Sequence, residues 1–396
     1  MTVAEELTET RLELEFRHER VDANPPSGRL GGCLATDLTG NGRDDVIVSS
    51  MGRHDRLELF GKPTRLPNLT GLKNEYGRGE VHLCWYENPG WERHDMRTDD
   101  LALDIAHTLA DIDGDGALDV VAGQGFNDHK VFWFEQPTDP RDEWAKHLIT
   151  DRFEKYHDVL VADVDDDGKP ELVGVSQRSE TCFYYDVPED PTVAPWPDEH
   201  CHVLAENFRV EGLAAADVDG DGRTEIVAGP NVFHQPAAPG EGWRREPIVT
   251  GWDDTRLVVA DLYPDDDLQI LLSEGDSPHM WDGPGRVAIV DPPEWTVTVL
   301  KDDMFCPHSL QVADFDGNGL LDIYVAEMGL DTNDDPVHLV FRNNGDGTFT
   351  ETVVARGIPT HEAKVADLTG DGLPDIAGKS YGPNHHVDVW YNESGR

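Results

Sequence analysis

The chain has 396 residues, with 79 acidic side chains against 32 basic ones and a net charge of −47. Such a field repels nucleic acid and anionic bilayers, so neither is expected as a partner. No apolar run approaches the roughly 20 residues that span a membrane, and the opening MTVAEELTETRLELEF has no hydrophobic core of a secretory leader. Lysine is scarce beside arginine, 9 to 23. An acid-rich, lysine-poor surface suits concentrated salt, where a Debye length of about 3 Å screens carboxylate repulsion. A cytoplasmic protein of a halophilic organism is the expectation. Five cysteines without a CxxC pair argue against a thiolate zinc knuckle or a disulfide framework.

Along the chain, RLELEFRHER comes first and alternates as a strand with no turn motif before it. A motif then begins and recurs: ATDLTGNGRDDVIVSS carries Asp37, Thr39, Asn41 and Asp45, and ADIDGDGALDVVAG carries Asp111, Asp113, Asp115 and Asp119. VADVDDDGKPELVGVS follows with Asp163, Asp165, Asp167 and Glu171, then AADVDGDGRTEIVAGP with Asp217, Asp219, Asp221 and Glu225. VADLYPDDDLQILLSE is a decayed copy around Asp261, Tyr263, Asp265 and Gln269. VADFDGNGLLDIYVAE supplies Asp314, Asp316, Asn318 and Asp322, and VADLTGDGLPDIAGKS supplies Asp367, Thr369, Asp371 and Asp375. The first aspartates are 74, 52, 54, 44, 53 and 53 residues apart.

A period near fifty with several short strands per unit predicts an all-β, seven-bladed β-propeller in one domain, residues 1–396. Each unit adds an aromatic third strand, such as LCWYENPG, VFWFEQP or VDVWYNES, and a fourth that often opens on Trp or Phe. The last unit ends after its third strand, so residues near 11–20 are expected to supply the missing fourth and close the ring. An insertion at about 52–80 accounts for the long first step and is a candidate lid.

The spacing D-x-D-x-D-G places oxygens round one point, as Ca²⁺ requires. Structural Ca²⁺ is expected in the loops of Asp111, Asp163 and Asp217, with the Asp314 loop close behind. These loops resemble FG-GAP/VCBS repeats, a resemblance that covers nearly the whole chain and implies the propeller fold but little about activity.

Six positions before the first aspartates stand Gly31, Ile105, His157, Glu211, Thr255, His308 and His361. In a propeller this register lies where the innermost strands begin, so His157, Glu211, His308 and His361 are expected at one mouth of the channel. They form a candidate set for a divalent metal such as Zn²⁺, Mn²⁺ or Mg²⁺, or a metal-free acid–base set. His107 is expected on the same strand face. Turns between second and third strands should reach the same mouth with Arg53, His54, residues 127–129, His234, His279, Tyr381, His385 and His386. Arg256 is a candidate for a carbonyl or anionic oxygen.

GEVHLCWYENPGWERHDMRT, AHTLADIDGDG and CPHSLQVADFDGNGLLDIYVAEMG are similar to the propeller domain of aldos-2-ulose dehydratases. That resemblance implies removal of water from a keto-sugar. Metal or Arg would polarise the carbonyl, and His and Tyr would move protons, with His107, His385 and Tyr381 as acid–base candidates. The family joins its propeller to cupin-type modules, and because the sequence ends with its seventh blade, activity owed to such modules is expected to be absent. Two alternatives stand beside it: a polysaccharide or oligouronide lyase using His/Tyr chemistry, and a non-enzymatic glycan-binding or scaffold propeller. In each case the partner is a small carbohydrate or an oligosaccharide. Oligomeric state leaves no mark in the sequence.

Overall fold

The computed structural model describes residues 13–26, 29–51, 57–59, 62–64, 83–98, 101–125, 128–236, 241–263, 267–280, 282–381 and 385–395. Seven four-stranded antiparallel sheets form the blades. Their innermost strands are Leu30–Thr36, Leu103–Ala110, Tyr156–Ala162, Leu213–Ala216, Thr255–Ala260, Pro307–Ala313 and Glu362–Ala366. Each touches the next in order, and the seventh touches the first, so the sheets make a closed ring. Among the described residues no helix is long and apolar enough to cross a membrane. The expected lid lies almost entirely outside the described residues, as do Arg53, His54 and Asn127.

Second strands are buried throughout, as in DVVAGQ and ELVGVS, because both of their faces meet neighbouring blades. Fourth strands alternate with exposed positions, as in FTETVVAR, because they lie at the outer edge. The apolar faces pair blade against blade. Leu34, Trp85, Val120 and Phe134 join the first two blades, and Val46, Tyr86, Val389 and Tyr391 join the last to the first. Seven such clusters replace one central core, which leaves the axis to polar side chains.

Closure follows the expected route. Phe16–Asp22 pairs with Val387–Asn392, with His18 opposite Trp390. A cross-strand device marks this segment as a fourth strand. His94 stacks on Trp85 at 4.6 Å and binds Glu87 at 2.9 Å. His147 stacks on Trp133 at 4.3 Å and binds Glu135 at 3.0 Å. His202 stacks on Tyr184 at 4.6 Å beside Asp186. In the last blade His18 lies 5.3 Å from Trp390 and bonds Asp388. The histidine is thus a fourth-strand signature, and the sequence carries it in FRHE, ERHD, AKHL and CHVL.

The acidic turns are stapled to their own backbone. In all seven blades the last residue of the motif accepts the backbone N–H seven positions earlier, from Leu38 to Asp45 through Leu368 to Asp375. Gln269 does this with an amide oxygen at 2.8 Å, so the bond needs no charge. The second oxygen of Asp45, Asp119, Asp322 and Asp375 takes an N–H from the third strand's end. In six blades the first aspartate accepts the N–H of the glycine five positions on, as Asp111 does from Gly116 at 3.0 Å. That glycine has a positive φ of 92°, a conformation other residues resist.

Candidate functional site

A one-residue irregularity aims the channel histidines. Tyr156 pairs with Ser176 and Asp158 with Val175, so His157 is the extra residue of a bulge. Pro307 pairs with Glu327 and Ser309 with Ala326, which gives His308 the same place in its blade. A bulge redirects a side chain out of the alternating pattern, here toward the axis. His361 and Glu211 sit just before the inner strands of their own blades.

Ligand atoms of His157, Glu211 and His308, from three blades, lie within 4.8 Å of one another. The hydrogen bonds on the far side of each ring set the proton positions. His157 Nδ1 faces Asp158 Oδ2 at 3.0 Å, and His308 Nδ1 faces the backbone carbonyl of His361 at 2.8 Å. Both Nδ1 atoms therefore donate, and both Nε2 atoms keep a lone pair when the rings are neutral. His157 Nε2 then meets Glu211 Oε1 at 3.0 Å. Two acceptors at that distance require a proton or a cation between them. Glu211 is fully buried, and its Oε2 has no hydrogen-bond partner. Burial, reinforced by Asp276 and Asp254, raises its carboxyl well above the ordinary range.

Asp158 is itself fixed. Arg256 Nη1 and Nη2 grip it at 2.6 and 3.1 Å, and Gly212 N donates at 3.0 Å. Burial opposes its charge, but Arg256 and His157 outweigh that and hold it below the carboxylate range. Two N–H groups of Arg256 are thus engaged with Asp158, and a third nitrogen contact reaches His157 Nδ1 at 3.5 Å. Arg–carboxylate–imidazole is the outer shell that orients a metal-ligating histidine.

His361 has the opposite polarity. Its Nδ1 faces the Lys379 ammonium, so Nδ1 accepts and Nε2 carries the proton. Lys379 is wholly buried, and burial pulls its ammonium down to about 8 despite Glu362 nearby. The His361 ring lies between His308, at 4.1 Å, and Tyr381, at 4.4 Å. Arg29 caps the stack, 4.1 Å above Tyr381. Burial keeps both His308 and His361 neutral, Arg256 adding to it at His308 and Lys379 at His361.

Other expected residues fall elsewhere. A register shift between Leu103 and His107 breaks the alternation that was to put His107 on the shared face. It is buried, with neither ring nitrogen hydrogen-bonded. A Cβ at Gly32 would overlap its ring, so glycine there makes room for it. His234 does not reach the mouth, because it ends a third strand at the acidic turn, 3.2 Å from Asp219 and 3.1 Å from Glu246. His386 is buried against Asp388, while His385 is half-buried and His279 exposed. Lys379, Asp158 and Arg29 were not singled out in the sequence. Lys379 stands two places before Tyr381, and Asp158 directly follows His157, so proximity to the singled-out residues was their only signal.

The acidic turns divide by what answers their charge. Asp111, Asp113 and Asp115 group within 4.8 Å, as do Asp163, Asp165 and Glu171. In the sixth blade Arg342 binds Asp316 at 2.6 Å, placing a guanidinium where Asp314, Asp316 and Asn318 were expected to hold Ca²⁺. In the fourth, Arg223 pairs with Asp221 and His234 with Asp219. Asp119, Glu171, Glu225 and Asp322 already bind backbone N–H groups.

The FG-GAP-like repeat family matches residues 111–174 and 314–378, two spans that each run from an acidic turn into the following second strand or beyond. The chain therefore carries FG-GAP-like repeats in a seven-bladed propeller. It is similar in structure to exotype rhamnogalacturonan lyase YesX at 13% identity, over 97% of this chain and 74% of that one, TM-score 0.46. The rhamnogalacturonan lyase of Bacillus licheniformis gives 12%, 94%, 72% and 0.46 in the same order. The periplasmic gluconolactonase of Pseudomonas aeruginosa gives 13%, 81%, 84% and 0.47. No protein of curated function matches the chain in sequence. Likenesses this distant do not speak to chemistry.

Proposed function

We propose that the channel mouth is a metal-assisted acid–base site for β-elimination on a small carbohydrate, with dehydration of a keto-sugar as the leading reaction. One observation carries the reading: two stacked imidazoles, His308 and His361, are held in opposite proton states by their outer partners.

His157, Glu211 and His308 fit a divalent metal. Each imidazole turns a lone pair inward and donates its other N–H outward, and Glu211 contributes a buried oxygen without a partner. A Zn²⁺ or Mn²⁺ ion there supplies Lewis acidity for a carbonyl oxygen. His361 points an N–H from Nε2 instead, and it can pass that proton to a departing hydroxyl as the Lys379 ammonium delivers one to Nδ1, so the ring ends neutral and Lys379 as the free amine. Tyr381 stacks beside it, and burial raises its phenol, so it stays a donor through neutral pH. His107, sealed against Gly32, takes no part in this scheme.

A uronate substrate is the second reading. Arg29 over Tyr381 is the observation that favours it, because a guanidinium at the end of the stack suits a sugar carboxylate. We further propose Ca²⁺ in the second- and third-blade turns as a structural ion. The test is ultraviolet absorbance of the unsaturated product on a panel of keto-sugars and oligouronides, with and without chelator. Chelator-sensitive product from a keto-sugar is expected. Product from oligouronides alone would shift the assignment to the second reading, and saturable sugar binding without product would replace the enzyme by a binding module.

A further inference from the structure

Glu211 belongs to two clusters. One of its carboxylate oxygens lies within 4.8 Å of ligand atoms on His157 and His308, and one lies within 4.8 Å of oxygens on Asp254 and Asp276. Asp254 ends the turn before the fifth blade's inner strand, and Asp276 follows that blade's second strand. Cations around this second cluster are largely committed. Arg256 grips Asp158 and Lys155 sits on Gln177, while Arg209 answers one cluster carboxylate through Asp254 Oδ2 at 2.6 Å, which leaves the charges of Glu211 and Asp276 to be met. Gln177 donates to Glu211 Oε1, the same oxygen that faces His157, and Glu211 Oε2 is left buried with no partner. An ionised buried oxygen in that state is costly unless a cation meets it.

We propose that Glu211 bridges two metal ions: one among His157, His308 and Glu211, and a second, hard cation among Glu211, Asp254 and Asp276. The donor sets differ as the two roles require. Two imidazoles and a carboxylate suit Zn²⁺ or Mn²⁺, and three carboxylates suit Mg²⁺, Ca²⁺ or Mn²⁺. A carboxylate bridge brings two ions to about 3.5–4 Å, the spacing at which a pair clamps two oxygens of one substrate. For a sugar, those oxygens are a carbonyl and its neighbouring hydroxyl, or the two oxygens of a carboxylate. The bridge rests on the imidazole-side site proposed above, but its test separates the two.

The experiment is electron paramagnetic resonance of the whole chain loaded with Mn²⁺ alone. Two ions this close give an exchange-coupled spectrum, which isolated ions in the rim turns cannot produce. The wild type is expected to show coupling, Asp276→Asn to lose it while keeping an uncoupled signal that His308→Ala removes, and Asp276→Glu to restore it. The second Mn²⁺ should bind at least tenfold more weakly in Asp276→Asn. A wild type with only uncoupled signals, one of them sensitive to His308→Ala, overturns the second site and spares the first. A spectrum indifferent to His308→Ala overturns both.

Discussion

The acidic turns and the channel mouth are both rich in charged side chains, yet they are built on opposite plans. In the turns all seven blades repeat one staple, the last residue of the motif holding a backbone N–H seven positions earlier. Even the decayed fifth copy keeps its staple through Gln269. At the mouth three blades contribute a histidine and a fourth a glutamate from one register, and these groups are buried, with Glu211 Oε2 unanswered and the imidazoles in opposed states. Repetition with satisfied bonds is what a scaffold needs. Divergence with unsatisfied bonds, maintained by a dense outer shell of Arg256, Asp158 and Lys379, is what a ligand site needs.

The sharpest break of this contrast is His308→Ala. It should lower turnover by roughly 10²–10⁴-fold, the usual worth of such a group, and abolish transition-metal binding at the mouth, while the thermal midpoint moves little. Turnover unaffected by the change would make the mouth structural. Asp119→Ala should do the reverse. It orphans the N–H groups of Ile112 and Gln136, and denaturant titration should show a loss of about 3 kcal/mol. Asp113→Asn in the same turn should cost under about 0.5 kcal/mol without Ca²⁺. Equal effects of the two would remove the distinction between staple and rim.

Lys379→Met tests the proton polarity of His361. Burial pulls the Lys379 ammonium down to about 8, so the wild type should lose activity above that pH as a neutral amine, able to accept as well as donate, ceases to fix the His361 proton on Nε2. The variant should be roughly 10²-fold slower, the low end of what a positioned general acid contributes, and without that alkaline limb. A limb that survives in the variant would assign it to another group.

A purely pH-dependent effect is expected at His107. Burial lowers its imidazole to about 4, below the unfolded value, so the unfolded chain takes up the proton first as pH falls. Its contribution is therefore complete above pH ~6.5 and about 2 kcal/mol smaller at pH 5. His107→Leu should remove that acid-dependent loss. Wild type and variant with parallel stability–pH curves would show that the histidine is not held neutral.

The acidic motif, its period and the unpaired first strand are local facts of the chain, so the seven blades and their closure could be read directly. The histidine register was legible too, because it needed only counting. Its meaning was not. Alternation was a sound rule for His107 until the bulge after Leu103 cancelled it, and His234 seemed bound for the mouth until the length of its strand carried it to the other end. Residue types and their order in sequence determined the ring and the strand starts that would face its axis. Only the tertiary structure decided which nitrogen of each imidazole carries a proton, because that depends on partners up to 53 positions away in the chain, such as the His361 carbonyl on His308, brought together only when the sheets close into a circle.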